Sequence, residues 1–212
     1  MKYSAVIWDW NGTLLNDAPA SLAAVNHIFG KMGVPLITES QYKEALDTPI
    51  SKFYERFLDL GKVDTDLLSK QFYDYLDLHE DEIGLQPGAK ETLRRLHEAG
   101  TKQYILSAAW NDDILPLLEK YSIGAYIDGV FGASDREIGS KLERAVEMAH
   151  KYSFGGRSAC LVGDTYHDFE CAKAIDADCL LISCGHQNVE KILRSGLPVY
   201  PTFEEMSEHL FS

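Results

Sequence analysis

The chain has 212 residues, 45% of them hydrophobic and 25% charged, a composition that suits one globular unit or a core carrying a small insertion. Its formal net charge of −13, from 33 acidic and 20 basic residues, argues against a nucleic-acid or anionic-membrane partner, because no basic stripe exists to displace phosphate counterions. No apolar run is long enough to span a bilayer, and four cysteines without a Cys-x-x-Cys pair or an export signal point to reduced thiols in the cytoplasm.

The run SAVIWDW (4–10) is the first predicted strand. Residues 17–83 then carry no strong strand signal and read as successive helices over 19–33, 39–46, 49–61 and 64–82. Their aromatic residues, Phe53, Tyr54, Phe57, Phe72, Tyr73 and Tyr75, are spaced mostly to fill a small bundle. Beyond residue 84 strands and helices alternate. A helix over 88–100 ends at Gly100, a strand follows at 102–108, and a helix at 111–121 opens on an Asn/Asp cap and should be kinked or shortened by Pro116. An amphipathic helix covers 140–152, a strand 158–164, a helix 167–175, and short strands 179–183 and 198–200. This alternation predicts a parallel sheet with crossover helices. The helical stretch inserted after its first strand predicts a cap, giving a core of residues 1–16 and 84–212, a cap of 17–83, and hinges near 14–18 and 82–86.

Asp9 stands at the end of the first strand and is followed by Trp10-Asn11-Gly12-Thr13. A carboxylate at a strand's C-terminal end lies on the ligand-binding rim of an open α/β sheet. Gly12 permits a tight turn whose amides can approach a phosphate closely. A second strand ends in Gly163-Asp164, with Asp168 four positions on, so two strand ends can present carboxylates to one hard cation such as Mg²⁺. Asp168 alone would also serve as an acidic residue in a helix's first turn. Ser107 ends the strand QYILS, where its hydroxyl and the neighbouring amides could hold a phosphoryl oxygen. Lys141 falls at a helix start, where a cation is locally unfavourable and something else must justify it.

Taken in order, Asp9-Trp10-Asn11-Gly12-Thr13, Ser107, Lys141 and Gly163-Asp164-x-x-x-Asp168 resemble the four motifs of the haloacid dehalogenase superfamily, and 17–83 resembles its helical cap. The phosphoglycolate-phosphatase and β-phosphoglucomutase-like branch is the most similar. The resemblance implies a three-layer α/β core of modified Rossmann type and a Mg²⁺-dependent phosphatase acting on a small phosphorylated metabolite. It casts Asp9 as the nucleophile that forms an aspartyl-phosphate. It assigns Ser107 and Lys141 to the transferring phosphoryl group, together with the Gly12, Thr13 and Ala108 positions. It places Asp9, Asp164, the Asn11 carbonyl and Asp168 around the metal.

Two positions depart from that pattern. The phosphatases carry Asp where this chain has Asn11, and an amide cannot protonate a leaving group or activate a water at neutral pH. Losing general acid–base help typically costs about 10²–10⁴ in rate. The alternatives are a hydrolase for good leaving groups or one with a base elsewhere, a slow phosphatase or phosphotransferase, and a binding or regulatory protein on the same fold. His167 and His186 are the candidates for a base, although a surface or structural role is the ordinary reading of each. A carboxylate restored at position 11 should raise alkyl-phosphate hydrolysis at least about tenfold if only that group is missing. The second departure is Ala108-Ala109-Trp110, where relatives carry a polar residue after the Ser. The sequence leaves the oligomeric state and the choice of substrate open.

Overall fold

The computed structural model describes residues 2–133, 140–152 and 158–211; the stretches of the expected core at 134–139 and 153–157 lie outside the described residues. Among the described residues, six strands form one sheet. These are β1 (Ala5–Trp8), β4 (Lys102–Trp110), β5 (Gly129–Ala133), β6 (Ala159–Gly163), β7 (Asp178–Ile182) and β8 (Val199–Tyr200). Their order is β5-β4-β1-β6-β7-β8 and every pairing is parallel. A parallel sheet needs helices on both faces, so its strands must be apolar on both sides.

The alternation along β1 shows how this is met. Val6 and Trp8 point into one apolar cluster with Ile105, Cys160, Val162, Leu180 and Ile182, covered by α5 (Ala89–Glu98), α6 (Asn111–Lys120) and α10 (Phe203–Phe211). Ala5 and Ile7 point the other way, with Tyr104, Leu106, Ala159 and Leu161, against α7 (Lys141–Tyr152) and α8 (Tyr166–Ala174). This is the three-layer α/β architecture expected from the sequence.

A third apolar cluster is built by residues between β1 and β4 alone. Val25, Ile28 and Phe29 of α1 (Ala18–Met32) pack with Tyr42 and Ala45 of α2 (Glu39–Ala45), Phe53 and Tyr54 of α3 (Ser51–Tyr54), and Leu68 of α4 (Thr65–Leu78). Thr38 and Gln41 form a reciprocal capping box at the start of α2, and Asp64 caps α4. The chain passes into and out of this helical segment through two short strands, β2 (Leu15–Asn16) and β3 (Gly84–Leu85), which pair antiparallel with Leu15 opposite Leu85. Gln86 secures the crossing: its N–H donates to Leu14 O at 2.8 Å and its Nε2 to Gly12 O at 3.2 Å.

Several local expectations are revised. The helix expected over 49–61 shrinks to α3, followed by a turn and a 3₁₀ segment at Leu60–Lys62. Pro116 lies inside α6 without ending it, and the expected Asn111 cap is absent because Asn111 Oδ1 accepts the Gly132 N–H at 2.7 Å. Strand β5, helix α10 and, between β7 and β8, the one-turn helix α9 (Val189–Ile192) add to the elements expected. Of these, β5 is a Gly-flanked edge strand with weak β character, and α10 opens on Thr202, whose Oγ1 accepts the Glu205 N–H at 3.2 Å, a Thr-x-x-Glu cap signal that the sequence reading passed over.

Candidate active site

The central position of β1 determines where the chemistry gathers. Its neighbours are β4 and β6, so the residues that follow these three parallel strands emerge at one edge. Asp9 follows β1, Ser107 lies late in β4, and Asp164 follows β6. Asp9 N–H still donates to Val162 O at 2.9 Å, which holds the carboxylate at the last rung of the ladder.

Lys141 closes the group from α7. It is 6% exposed, and its Nζ donates to Asp9 Oδ1 and, at 2.6 Å, to Asp168 Oδ1. A cation at a helix N-terminus is thereby accounted for: two buried carboxylates outweigh the unfavourable dipole. Asp168 takes the first-turn role considered for it with one oxygen and meets Lys141 with the other. Its Oδ2 accepts from Thr165 N (3.0 Å) and Thr165 Oγ1 (2.6 Å) in a capping box, while Oδ1 faces Lys141. Gly163 makes room for this, since a Cβ there would lie 2.2 Å from the Asp168 carboxyl carbon.

Asp164 is fully buried and its Oδ2 accepts the His186 N–H at 2.6 Å. Thr13 Oγ1 lies 3.2 Å from Asp9 Oδ2 and 3.0 Å from Asp164 Oδ1. A hydroxyl carries one proton and can donate to only one of them, so one buried carboxylate oxygen lacks a donor. Carboxylate oxygens of Asp9, Asp164 and Asp168 come within 4.8 Å of one another. An all-oxygen anionic set with an under-donated member suits a hard divalent cation such as Mg²⁺.

The electrostatics agree with that fit. Burial pushes the Asp9 carboxyl well above its ordinary value; Lys141 opposes the rise, and Asp168 and Asp164 reinforce it. Burial also raises Asp164, with His186 opposing and Asp168 adding to the rise. Burial would raise Asp168 too, but the Lys141 ammonium and the Thr165 donors hold it below the usual carboxylate range. Burial thus makes the ionised forms of Asp9 and Asp164 costly, and a cation seated among the three carboxylates would favour those forms.

Ser107 is buried and its Oγ accepts the Ala109 N–H at 3.0 Å within β4, where the register with β5 shifts between Leu106 and Trp110, and Ala108 is exposed. Gly12 adopts φ +75°, and a Cβ on it would lie 2.4 Å from Asp164 Oδ2 and 2.5 Å from His186 Cδ2. The Asn11 side chain turns to Asp17, its Nδ2 donating to Asp17 Oδ2 at 2.8 Å. Asp17 Oδ1 accepts the Gly12 N–H (2.7 Å) and faces His186 Nε2 (3.1 Å), and His186 Nδ1 pairs with Tyr42 OH (2.9 Å).

His186 is thus a buried member of the site network and not a surface residue, whereas His167 pairs with Glu170 along its own helix. Asp17, Tyr42 and Gln86 escaped the sequence reading. Only Asp17 left a trace there, as a second acidic residue shortly after the Asp9 turn.

The family model described as haloacid dehalogenase-like hydrolase matches residues 6–182. Over 192 residues the chain is 26% identical to a phosphoglycolate phosphatase of Pseudomonas fluorescens, covering 86% of this chain and 70% of that protein. Among solved structures, a predicted phosphatase from Clostridium acetobutylicum superposes with a TM-score of 0.82 at 17% identity, covering 100% of this chain and 99% of that one. Protein Tyrosine Kinase A of Mycobacterium tuberculosis superposes at 0.79 with 19% identity and coverage of 100% and 99%; these two likenesses speak to the fold alone. With the family model spanning most of its length, the chain belongs to the haloacid dehalogenase-like hydrolases.

Proposed function

We propose that this protein is a Mg²⁺-dependent phosphatase that hydrolyses a small phosphorylated metabolite through a phosphorylated Asp9, with residues 17–83 acting as the cap over the site. The observation that carries the reading is the buried cluster of Asp9, Thr13, Lys141, Asp164 and Asp168 at the C-terminal edge of the central strands. The phosphatase names of the sequence relatives support the reaction class.

In this reading Asp9 attacks the phosphorus in line; an Asp9 O–P bond forms as the bond to the leaving oxygen breaks. Lys141, already paired with Asp9, stays beside the phosphoryl oxygens and Asp168 fixes its position. A water then attacks the phosphorus, inorganic phosphate leaves, and the Asp9 carboxylate is regenerated. Asp9, Asp164 and Asp168 would hold Mg²⁺, which when bound neutralises charge on the transferring phosphoryl group. Ser107 Oγ accepts the Ala109 N–H, which fixes the hydroxyl in place and leaves its own proton to donate to a phosphoryl oxygen. The reading places this enzyme in the cytoplasm, on the sequence argument that four cysteines without a Cys-x-x-Cys pair are reduced thiols.

Asn11 supplies no proton to the leaving oxygen, so substrates with good leaving groups should turn over fastest. The same residue favours a second reading, in which the phosphorylated Asp9 persists and passes its phosphoryl group slowly to an acceptor. Phosphate release from acetyl phosphate and from 2-phosphoglycolate, each with Mg²⁺ and with EDTA, tests both. Mg²⁺-dependent release that Asp9→Asn abolishes supports the hydrolase. A stoichiometric burst of phosphoprotein without turnover supports the second reading, and neither signal from either substrate would sink both.

A further inference from the structure

Asp17 occupies the N-cap position of α1, where an aspartate ordinarily accepts backbone N–H groups of its own helix. Here it makes no side-chain cap hydrogen bond, and Pro19 within that first turn has no N–H to offer. Capping therefore does not explain this carboxylate, although it is only 2% exposed. Its Oδ2 accepts from Asn11 Nδ2 at 2.8 Å, with Ser21 Oγ at 3.5 Å, and its Oδ1 takes the Gly12 N–H at 2.7 Å and faces His186 Nε2 at 3.1 Å. Both oxygens are turned toward the loop that carries the nucleophile.

We infer that Asp17 is a positioning residue matched to Asn11: its carboxylate requires a donor at position 11, so the amide there is built into the site and an acid can replace it only if residue 17 changes as well. The hydrogen bond has a direction. With a carboxylate at position 11 alone, two acidic groups would face each other across a buried 2.8 Å contact and must either repel or take up a proton, at a cost to stability at neutral pH in either case. With an amide at position 17 as well, the contact is restored in reverse. The amide nitrogen at 17 would donate to the carboxylate at 11, while the amide oxygen would still receive the Gly12 N–H. The single exchange at position 11 considered from the sequence is therefore opposed by a neighbour that the sequence did not reveal.

The inference rests on the phosphatase reading for its kinetic consequence but not for its stability consequence, which separates the two in one experiment. Wild type, Asn11→Asp, Asp17→Asn and the double exchange are compared by thermal unfolding in EDTA, and by kcat and KM for acetyl phosphate and 2-phosphoglycolate in Mg²⁺. Asn11→Asp alone should lower the midpoint by at least about 4 °C without raising kcat. The double exchange should recover most of that loss and raise kcat on 2-phosphoglycolate at least about tenfold above wild type, with little change in KM. An Asn11→Asp protein that melts with wild type, or a double exchange no better than that single variant, would overturn the pairing. If Asn11→Asp yields no folded protein, a folded double exchange supports it and an unfolded one refutes it. Absence of phosphate release from all four proteins would defeat the phosphatase reading and leave the midpoints to decide the pairing.

Discussion

Lys141 Nζ lies 2.6 Å from Asp168 Oδ1, joining the first residue of α7 to the first turn of α8, and the same nitrogen donates to Asp9. All three side chains are almost wholly withdrawn from solvent. Removing the ammonium leaves carboxylates buried without their cation, a change that typically costs about 3–5 kcal/mol. Lys141→Met keeps the length of the stem and discards only the charge. It should lower unfolding free energy by that amount in denaturant titrations run in EDTA, and it should abolish phosphate release. A loss below about 1 kcal/mol would mean that the carboxylates already take up protons when Lys141 is gone, and that the lysine does not hold the site together.

The converging carboxylates of Asp9, Asp164 and Asp168 predict a response to Mg²⁺ that needs no substrate. A ligand that binds only the folded state stabilises it by about 2.7 kcal/mol at a hundred times its dissociation constant, worth several degrees in a chain of this size. Saturating MgCl₂ should therefore raise the thermal midpoint of the wild type, and Asp164→Asn should remove most of that shift. Because burial raises the Asp164 carboxyl, the Asn variant should be at least as stable as wild type in EDTA. Equal Mg²⁺ shifts in the two proteins would take Asp164 out of the metal set.

Gly163 and Asp168 are related by lack of space. A Cβ on Gly163 would come within 2.2 Å of the Asp168 carboxyl carbon and 2.3 Å of its Cβ, and the carboxyl group is pinned by Thr165 and Lys141. Gly163→Ala should thus destabilise by more than about 2 kcal/mol through overpacking and loss of the capping box, and activity should fall with it. A well-folded Gly163→Ala protein with full activity would show that Asp168 can move without consequence.

The sheet, the helical insertion and the acidic strand ends could be read from the chain because each leaves a local pattern. Strand β1 is an uninterrupted apolar run with a carboxylate at its end, and Lys141 stands out as a cation at a helix start. Strands β2 and β3 leave no such pattern. Two residues each, they exist only because the crossings of the insertion pair with one another, Leu15 opposite Leu85. The Asp17–His186–Tyr42 chain is invisible for the same reason. His186 lies 169 residues from Asp17 and 144 from Tyr42, and nothing local distinguishes a surface histidine from one the fold places against Gly12. In the sequence Asn11 reads as a simple loss of a proton donor, because its partner at position 17 can be recognised only when the loop is folded.

The cysteines offer a test of the packing around the site that is independent of phosphate chemistry. Cys160 and Cys171 are buried in opposite apolar clusters, and burial pushes each thiol up to about 12; Cys184 rises to about 11 from the same cause. Burial also raises Cys179 well above its ordinary value, with Asp168 adding to the rise. The thiolate is the reactive form, and a raised pKa depletes it across the neutral range, so at pH 8 all four should react slowly with a disulfide reagent. Unfolding in guanidinium should return them to the ordinary value near 8.5, and four equivalents should then react promptly. Fast reaction of two or more thiols in the native protein would mean that the faces built on β6, β7 and α8 open to solvent far more readily than their burial implies. Fewer than four equivalents after unfolding without reductant would reveal oxidation and count against a reducing setting.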